Sequence, residues 1–179
     1  MEGRIRQGLA AAERQNVAKV AALLLGLGYL GAGVVGFAAT GFTGFVANTD
    51  ASLLGLDLNI FHNIVHITIG AGLIIASRMS DVTITQGVMI GVGLFYVLAA
   101  LLGFINYLQI ISISDSLALD NFFHLVTGAT ALIFGLLGAR QQSESPRDTR
   151  GLRGPERPRP IEERRAQWDS EETYREEAY

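Results

Sequence analysis

The twenty residues LNIFHNIVHITIGAGLIIAS (58–77) carry no charge unless a histidine is protonated. That is about the length a helix needs to cross a ~30 Å hydrocarbon core. Their first half nevertheless holds Asn59, His62, Asn63 and His66, at the end where such a helix enters the membrane. A second stretch, DNFFHLVTGATALIFG (120–135), repeats the arrangement with Asp120, Asn121 and His124. These two phrases contain all three histidines of the chain.

Working outward, four uncharged segments emerge, at 20–40, 58–77, 82–105 and 121–139. Between residues 19 and 139 the only charged side chains are Lys19, Asp50, Asp57, Arg78, Asp81, Asp115 and Asp120. Buried helices of a water-soluble protein are usually shorter and keep a polar face. The first segment is also longer than the 7–15 apolar residues of a typical signal peptide. The pattern predicts an all-α membrane protein with four transmembrane helices over 20–139. A cytoplasmic segment (1–19) precedes it, and a charged, disordered cytoplasmic tail (140–179) follows.

Basic residues set the expected orientation, because cytoplasmic loops are enriched in Lys and Arg. Arg4, Arg6, Arg14 and Lys19 precede the first span, Arg78 separates the second from the third, and the other nine follow the fourth. The loops at 41–57 and 106–120 contain no Lys or Arg. Both termini are therefore expected in the cytoplasm of a bacterial plasma (inner) membrane, with the histidine phrases near the outer face. The net charge of −3 averages an apolar body and a tail holding nine Arg and ten acidic residues, so it gives no reason to expect nucleic acid. Without cysteine, disulfides, thiolate metal sites and thiol nucleophiles are excluded. No hydrolase or metalloprotease phrase is present. GLGYLG (26–31) fits a dinucleotide-binding glycine pattern only formally, since it lies inside a span with no preceding strand. No catalytic residues are assigned.

The two halves of the apolar region resemble each other. At an offset of 67, Gly26, Tyr29, Ala32, Gly36 and Phe37 match Gly93, Tyr96, Ala99, Gly103 and Phe104. At an offset of 58, Asp57, Asn63, His66 and Gly70 match Asp115, Asn121, His124 and Gly128. An internal repeat of this order predicts two parallel helical hairpins related by a pseudo-two-fold axis along the membrane normal. Gly26, Gly33, Gly36, Gly70, Gly93, Gly103 and Gly128 are the expected points of close helix packing.

The phrases HNIVHITIGAGLIIAS and DNFFHLVTGATALIFG, with the Gly-rich first and third spans, carry a resemblance. The region 17–139 resembles an uncharacterised bacterial four-helix integral membrane family, filed as a domain of unknown function, with a repeated N-x-x-H-x-x-x-G phrase. That resemblance implies the fold and brings no activity with it.

Two readings of the histidines compete. In the structural one, Asn59, Asn63, His66, Asn121 and His124 form a polar cluster that joins the hairpins of an accessory membrane protein. Asn59 and Asp120 stand where N-caps are expected. In the other, His62 and His66 share a helix face four residues apart, as do Asp120 and His124. His62, His66, Asp120 and His124 would then hold a transition metal, or His66 and His124 would hold a haem axially. Two features favour the structural reading: His62 is matched by Asp120 rather than by a histidine, and no spacing shows room for a porphyrin. A proton or small-solute path in an oligomer is a third, weaker reading. The expected partners are the bilayer, a second copy of the chain, and a protein bound by the tail through Trp168 and Tyr174. The loop at 40–58 is expected to form a lid.

Overall fold

The first helix is built inside out relative to a water-soluble one. Ala18, Ala22, Gly26, Gly33 and Gly36 are buried, whereas Val20, Leu24, Leu27, Val34 and Val35 are exposed. This is the arrangement that lipid selects. Hydrocarbon tails are as apolar as leucine, so large side chains gain nothing by turning inward, and small ones let backbones approach.

The computed structural model describes residues 16–42 and 44–144. It contains α1 (Val17–Thr40), α2 (Ile60–Arg78), α3 (Val82–Phe104) and α4 (Leu119–Glu144). All four helices are long and apolar enough to cross a membrane. The chain is thus an all-α four-helix membrane protein. The N-terminal segment up to residue 15 and the tail from residue 145, both singled out in the sequence, lie outside the described residues. Within them, α4 runs five residues past Ala139. Arg140, Gln141 and Gln142 favour helix, and the nearest helix-breaking residue is Pro146.

Polar side chains set the helix starts. Asn16, Asn59 and Asp81 cap α1, α2 and α3, accepting from the backbone N–H of Ala18, His62 and Thr83 at 3.0, 2.8 and 2.8 Å. Asp120 departs from its expected capping place: α4 begins one residue earlier, so its carboxylate lies in the first turn. Asn16 also donates to the Gly138 carbonyl at 3.1 Å, joining the start of α1 to the end of α4.

Packing is strongest between α1 and α2 and between α3 and α4, and the two hairpins meet mainly through α1 and α4. Glycines set the distance within each hairpin. A Cβ on Gly26 would lie 2.9 Å from the Gly70 carbonyl, and one on Gly93 would lie 2.9 Å from the Gly128 carbonyl. Gly33 faces the Asn63 carbonyl as closely, at 2.6 Å. Further out, the Asn63 side-chain oxygen presses on Gly36, and that of Asn121 presses on Gly103. Both asparagine oxygens are buried without a conventional donor, so Cα–H···O contacts from the glycines serve them. Their amide groups donate elsewhere: Asn63 to Thr40 Oγ1 at 2.9 Å, and Asn121 to the Asp115 and Ser116 carbonyls at 3.1 Å each. The pairs Gly26–Gly70 and Gly36–Asn63 in one hairpin are the sequence counterparts of Gly93–Gly128 and Gly103–Asn121 in the other.

The loop between α1 and α2 carries a short antiparallel hairpin, β1 (Ser52–Leu53) and β2 (Leu56–Asp57). Its two turn residues, Leu54 and Gly55, both have positive φ, at 55° and 83°. Such a two-residue turn matches the right-handed twist of its strands.

The glycine contacts make a directed prediction. Gly103→Ala drives a methyl group into the Asn121 amide and should cost about 1–3 kcal/mol, the usual range for overpacking. Gly91→Ala, with nothing near its added Cβ, should be neutral. Thermal unfolding of the two variants in the same detergent distinguishes them.

Candidate metal centre

The outer loops are tied to each other and to the helix starts. Asn59, fully buried, caps α2 through its oxygen and donates through its amide to the carbonyls of Ala47 (3.3 Å) and Ile110 (2.9 Å), one in each loop. The Thr49 N–H donates to Ser112 Oγ at 3.0 Å, again loop to loop. The Phe61 N–H donates to the Phe45 carbonyl at 3.0 Å, drawing the first loop onto α2. These bonds draw the two loops together over the end of the bundle where α2 and α4 begin.

Beneath the cap, His62 and His66 of α2 and His124 of α4 converge. One ring nitrogen from each lies within 4.8 Å of the other two. The ring centroids of His62 and His66 are 4.4 Å apart, and those of His62 and His124 are 5.9 Å apart. All three side chains are buried. His62 Nδ1 lies 2.9 Å from the Asp57 carbonyl oxygen. A carbonyl only accepts, so Nδ1 carries the proton and Nε2 is left with its lone pair. His62 Nε2, both nitrogens of His66, and His124 Nδ1 are buried without a hydrogen-bond partner among the described residues.

Two tyrosines floor the cluster. Tyr29 and Tyr96 stack with centroids 4.8 Å apart and planes at 15°. Tyr29 meets His66 at 5.2 Å, and Tyr96 meets His124 at 5.3 Å. The Tyr29 hydroxyl donates to Thr127 Oγ1 at 2.6 Å, linking α1 to α4 across the hairpin boundary.

Asp120 is placed differently from the three histidines. Its Oδ2 accepts from the Asp57 N–H at 2.9 Å, and it stands outside the group of converging ligand atoms. Asp57 is therefore gripped at both main-chain groups: its N–H by Asp120 and its carbonyl by His62. Of the residues expected in a polar cluster, Asn59, Asn63 and Asn121 make hydrogen bonds, while His66 makes none among the described residues. The role of Asp57 could not be seen in the sequence, because it acts through main-chain atoms that every residue possesses. Tyr29 and Tyr96 had a signal, as tyrosines at mid-span, but nothing in the chain tied them to the histidines.

Two cavities flank the cluster. One, of about 250 Å³, lies between α1 and α4 and reaches His66 and His124. The other, of about 280 Å³, lies between α2 and α3 and reaches all three histidines.

Asn59→Ala removes a helix cap, typically about 1 kcal/mol, together with two buried loop bonds of about 0.5–1.5 kcal/mol each. It should destabilise the protein by roughly 2–4 kcal/mol, whereas Asp81→Ala, a cap at the exposed opposite end, should cost only about 1 kcal/mol. Chemical denaturation in detergent measures both.

A family model described as a domain of unknown function (DUF4383) matches residues 19–137. No curated protein and no solved structure matches the chain.

Proposed function

The chain belongs to the DUF4383 family, and from that premise we propose that it is a membrane protein binding one transition-metal ion through His62, His66 and His124. The convergence of three buried imidazoles, four of whose ring nitrogens have no hydrogen-bond partner among the described residues, carries this reading. Leaving a buried polar atom unpaired costs about 1–3 kcal/mol. Four such atoms crowd one site here, and a metal ion bound through one nitrogen of each imidazole would satisfy three of them. The asparagines fit the structural role better, because their NH2 groups donate within the bundle. His66 does not.

The donor set defines the ion class. Three imidazoles without thiolate or carboxylate suit zinc, copper, nickel or ferrous iron, and do not suit calcium or magnesium. Three protein ligands leave a coordination position free, as catalytic zinc sites do. The bond from His62 Nδ1 to the Asp57 carbonyl is the type of outer contact that fixes a metal-binding imidazole's tautomer and direction. Through Asp57 it also connects the site to Asp120 and the outer cap. Haem is disfavoured, because His62 and the Tyr29–Tyr96 stack occupy the space around His66 and His124 that a porphyrin would need.

The charge distribution supports placing the site near the outer face of a bacterial plasma membrane, with both termini cytoplasmic. The matched glycine, asparagine and histidine contacts support an internal repeat of two parallel hairpins. In that repeat, the replacement of one histidine position by Asp120 makes the site three-histidine rather than four.

Metal analysis of protein purified without affinity-tag histidines should give one ion per chain. His66→Ala should retain less than a tenth of it. Added metal should raise the thermal midpoint of the wild type, by an amount equivalent to about 2.7 kcal/mol at a hundredfold excess over Kd, and should leave His66→Ala unmoved. Metal-free protein with no response to added ions would return the site to the structural reading. For orientation, the chain's lack of cysteine allows clean single-cysteine labelling. Leu117→Cys should react with an impermeant maleimide added to intact cells, and Ser80→Cys should react only after lysis.

A further inference from the structure

We propose that the cavity between α1 and α4 is a binding site for a monocyclic phenol or quinol dissolved in the bilayer, its oxygen directed at the histidine centre. This rests on the metal reading for the oxygen's destination, and on the cavity's own shape and lining for the ligand class.

Four observations lead there. The first is position. The cavity is walled by Leu24, Leu25, Gly28 and Ala32 of α1 and by Phe123 of α4, and it ends on His66 and His124. Leu24 and Phe123 are 65% and 52% exposed on the surface that faces lipid, so the entrance lies on the side of the bundle. From above, the knitted loops close the site: Asn59 holds both, Thr49 is bonded to Ser112, and Asp57 is clamped to Asp120. A ligand that reaches the histidines by this route comes from the hydrocarbon.

The second is size. An apolar cavity of about 150 Å³ accommodates benzene. The 250 Å³ available here accommodates one ring with a few substituents. The third is polarity. The apolar walls lead to a polar inner end made of His66, His124, Asp120 and the Tyr29–Thr127 hydroxyl pair. The Tyr29 proton is committed to Thr127, so Tyr29 can meet a ligand only through its oxygen. A ligand with an apolar body and one hydroxyl at its leading edge matches both ends. The fourth is the emptiness beside Gly28, where an added Cβ meets nothing within 4 Å. Gly28 lines the cavity, so a longer side chain there has open space to enter.

The site has a direct test. Full-length protein in nanodiscs is loaded with Co²⁺, and its visible absorption is followed while 4-propylphenol or azide is added. Saturable perturbation of the cobalt bands by the phenol is expected, with azide far less effective. Gly28→Leu fills the cavity without touching a metal ligand, so it should bind cobalt as the wild type does and bind the phenol at least tenfold more weakly. A phenol that leaves the bands unchanged, or that acts equally on Gly28→Leu, overturns the proposal. So does azide acting as strongly as the phenol, which would mean that the site opens to water. If cobalt does not bind, the metal reading fails separately. The ¹⁵N imidazole resonances of metal-free protein then decide the cavity: phenol-induced shifts present in the wild type and lost in Gly28→Leu support it, and their absence overturns it.

Discussion

The contact between Gly26 and Gly70, repeated between Gly93 and Gly128, is the constraint on which the remaining architecture depends. Apolar helices in lipid have no hydrophobic reason to associate, so they need close backbone approach and interhelical polar contacts. A carbonyl seated against a glycine Cα supplies the first. Once each hairpin is closed to that distance, Asn63 and Asn121 reach Gly36 and Gly103 and lock the outer ends. The histidines follow one turn deeper on the same helix faces, at His66 and His124, because i and i+3 share a side of a helix. Glycine spacing thus decides how close the polar groups come, and in turn what chemistry they can perform.

The outer cap answers a different physical demand. Irregular backbone near hydrocarbon must satisfy its own polar groups. Asn59, Thr49 and Ser112 do this by pairing one loop with the other. The same bonds shield the histidines from the aqueous side. Stability and isolation of the site therefore share residues, and damage to the cap is expected to affect both.

The asymmetry between the hairpins is as informative as their likeness. A perfectly repeated pair would place a histidine at position 120 opposite His62. The chain has an aspartate there, and its carboxylate holds the Asp57 N–H while the Asp57 carbonyl orients His62. One hairpin supplies two of the converging histidines, and the other supplies the third together with the carboxylate that holds Asp57.

The four helices and their lengths were legible in the sequence, because a membrane span is a local property: about twenty uncharged residues suffice. The packing glycines and the Asn59 cap were legible for the same reason, since helix periodicity and N-cap chemistry act over only a few residues. The fourth helix starts at Leu119, two residues before the expected 121, which moved Asp120 from the cap into the first turn. The ligand set was beyond the sequence. His62, His66, Asp120 and His124 were equally eligible by type and spacing, and only the fold separates them. His62 and His66 come from α2 and His124 from α4, helices that pack chiefly on other partners. Whether their rings meet depends on the rotation of each helix within its own hairpin. Asp120 was removed from the set by a main-chain N–H, a donor that no sequence pattern can mark. Local chemistry decided what could enter the membrane and how closely it could pack. Long-range geometry decided which side chains face one another, since that depends on every contact in the bundle at once.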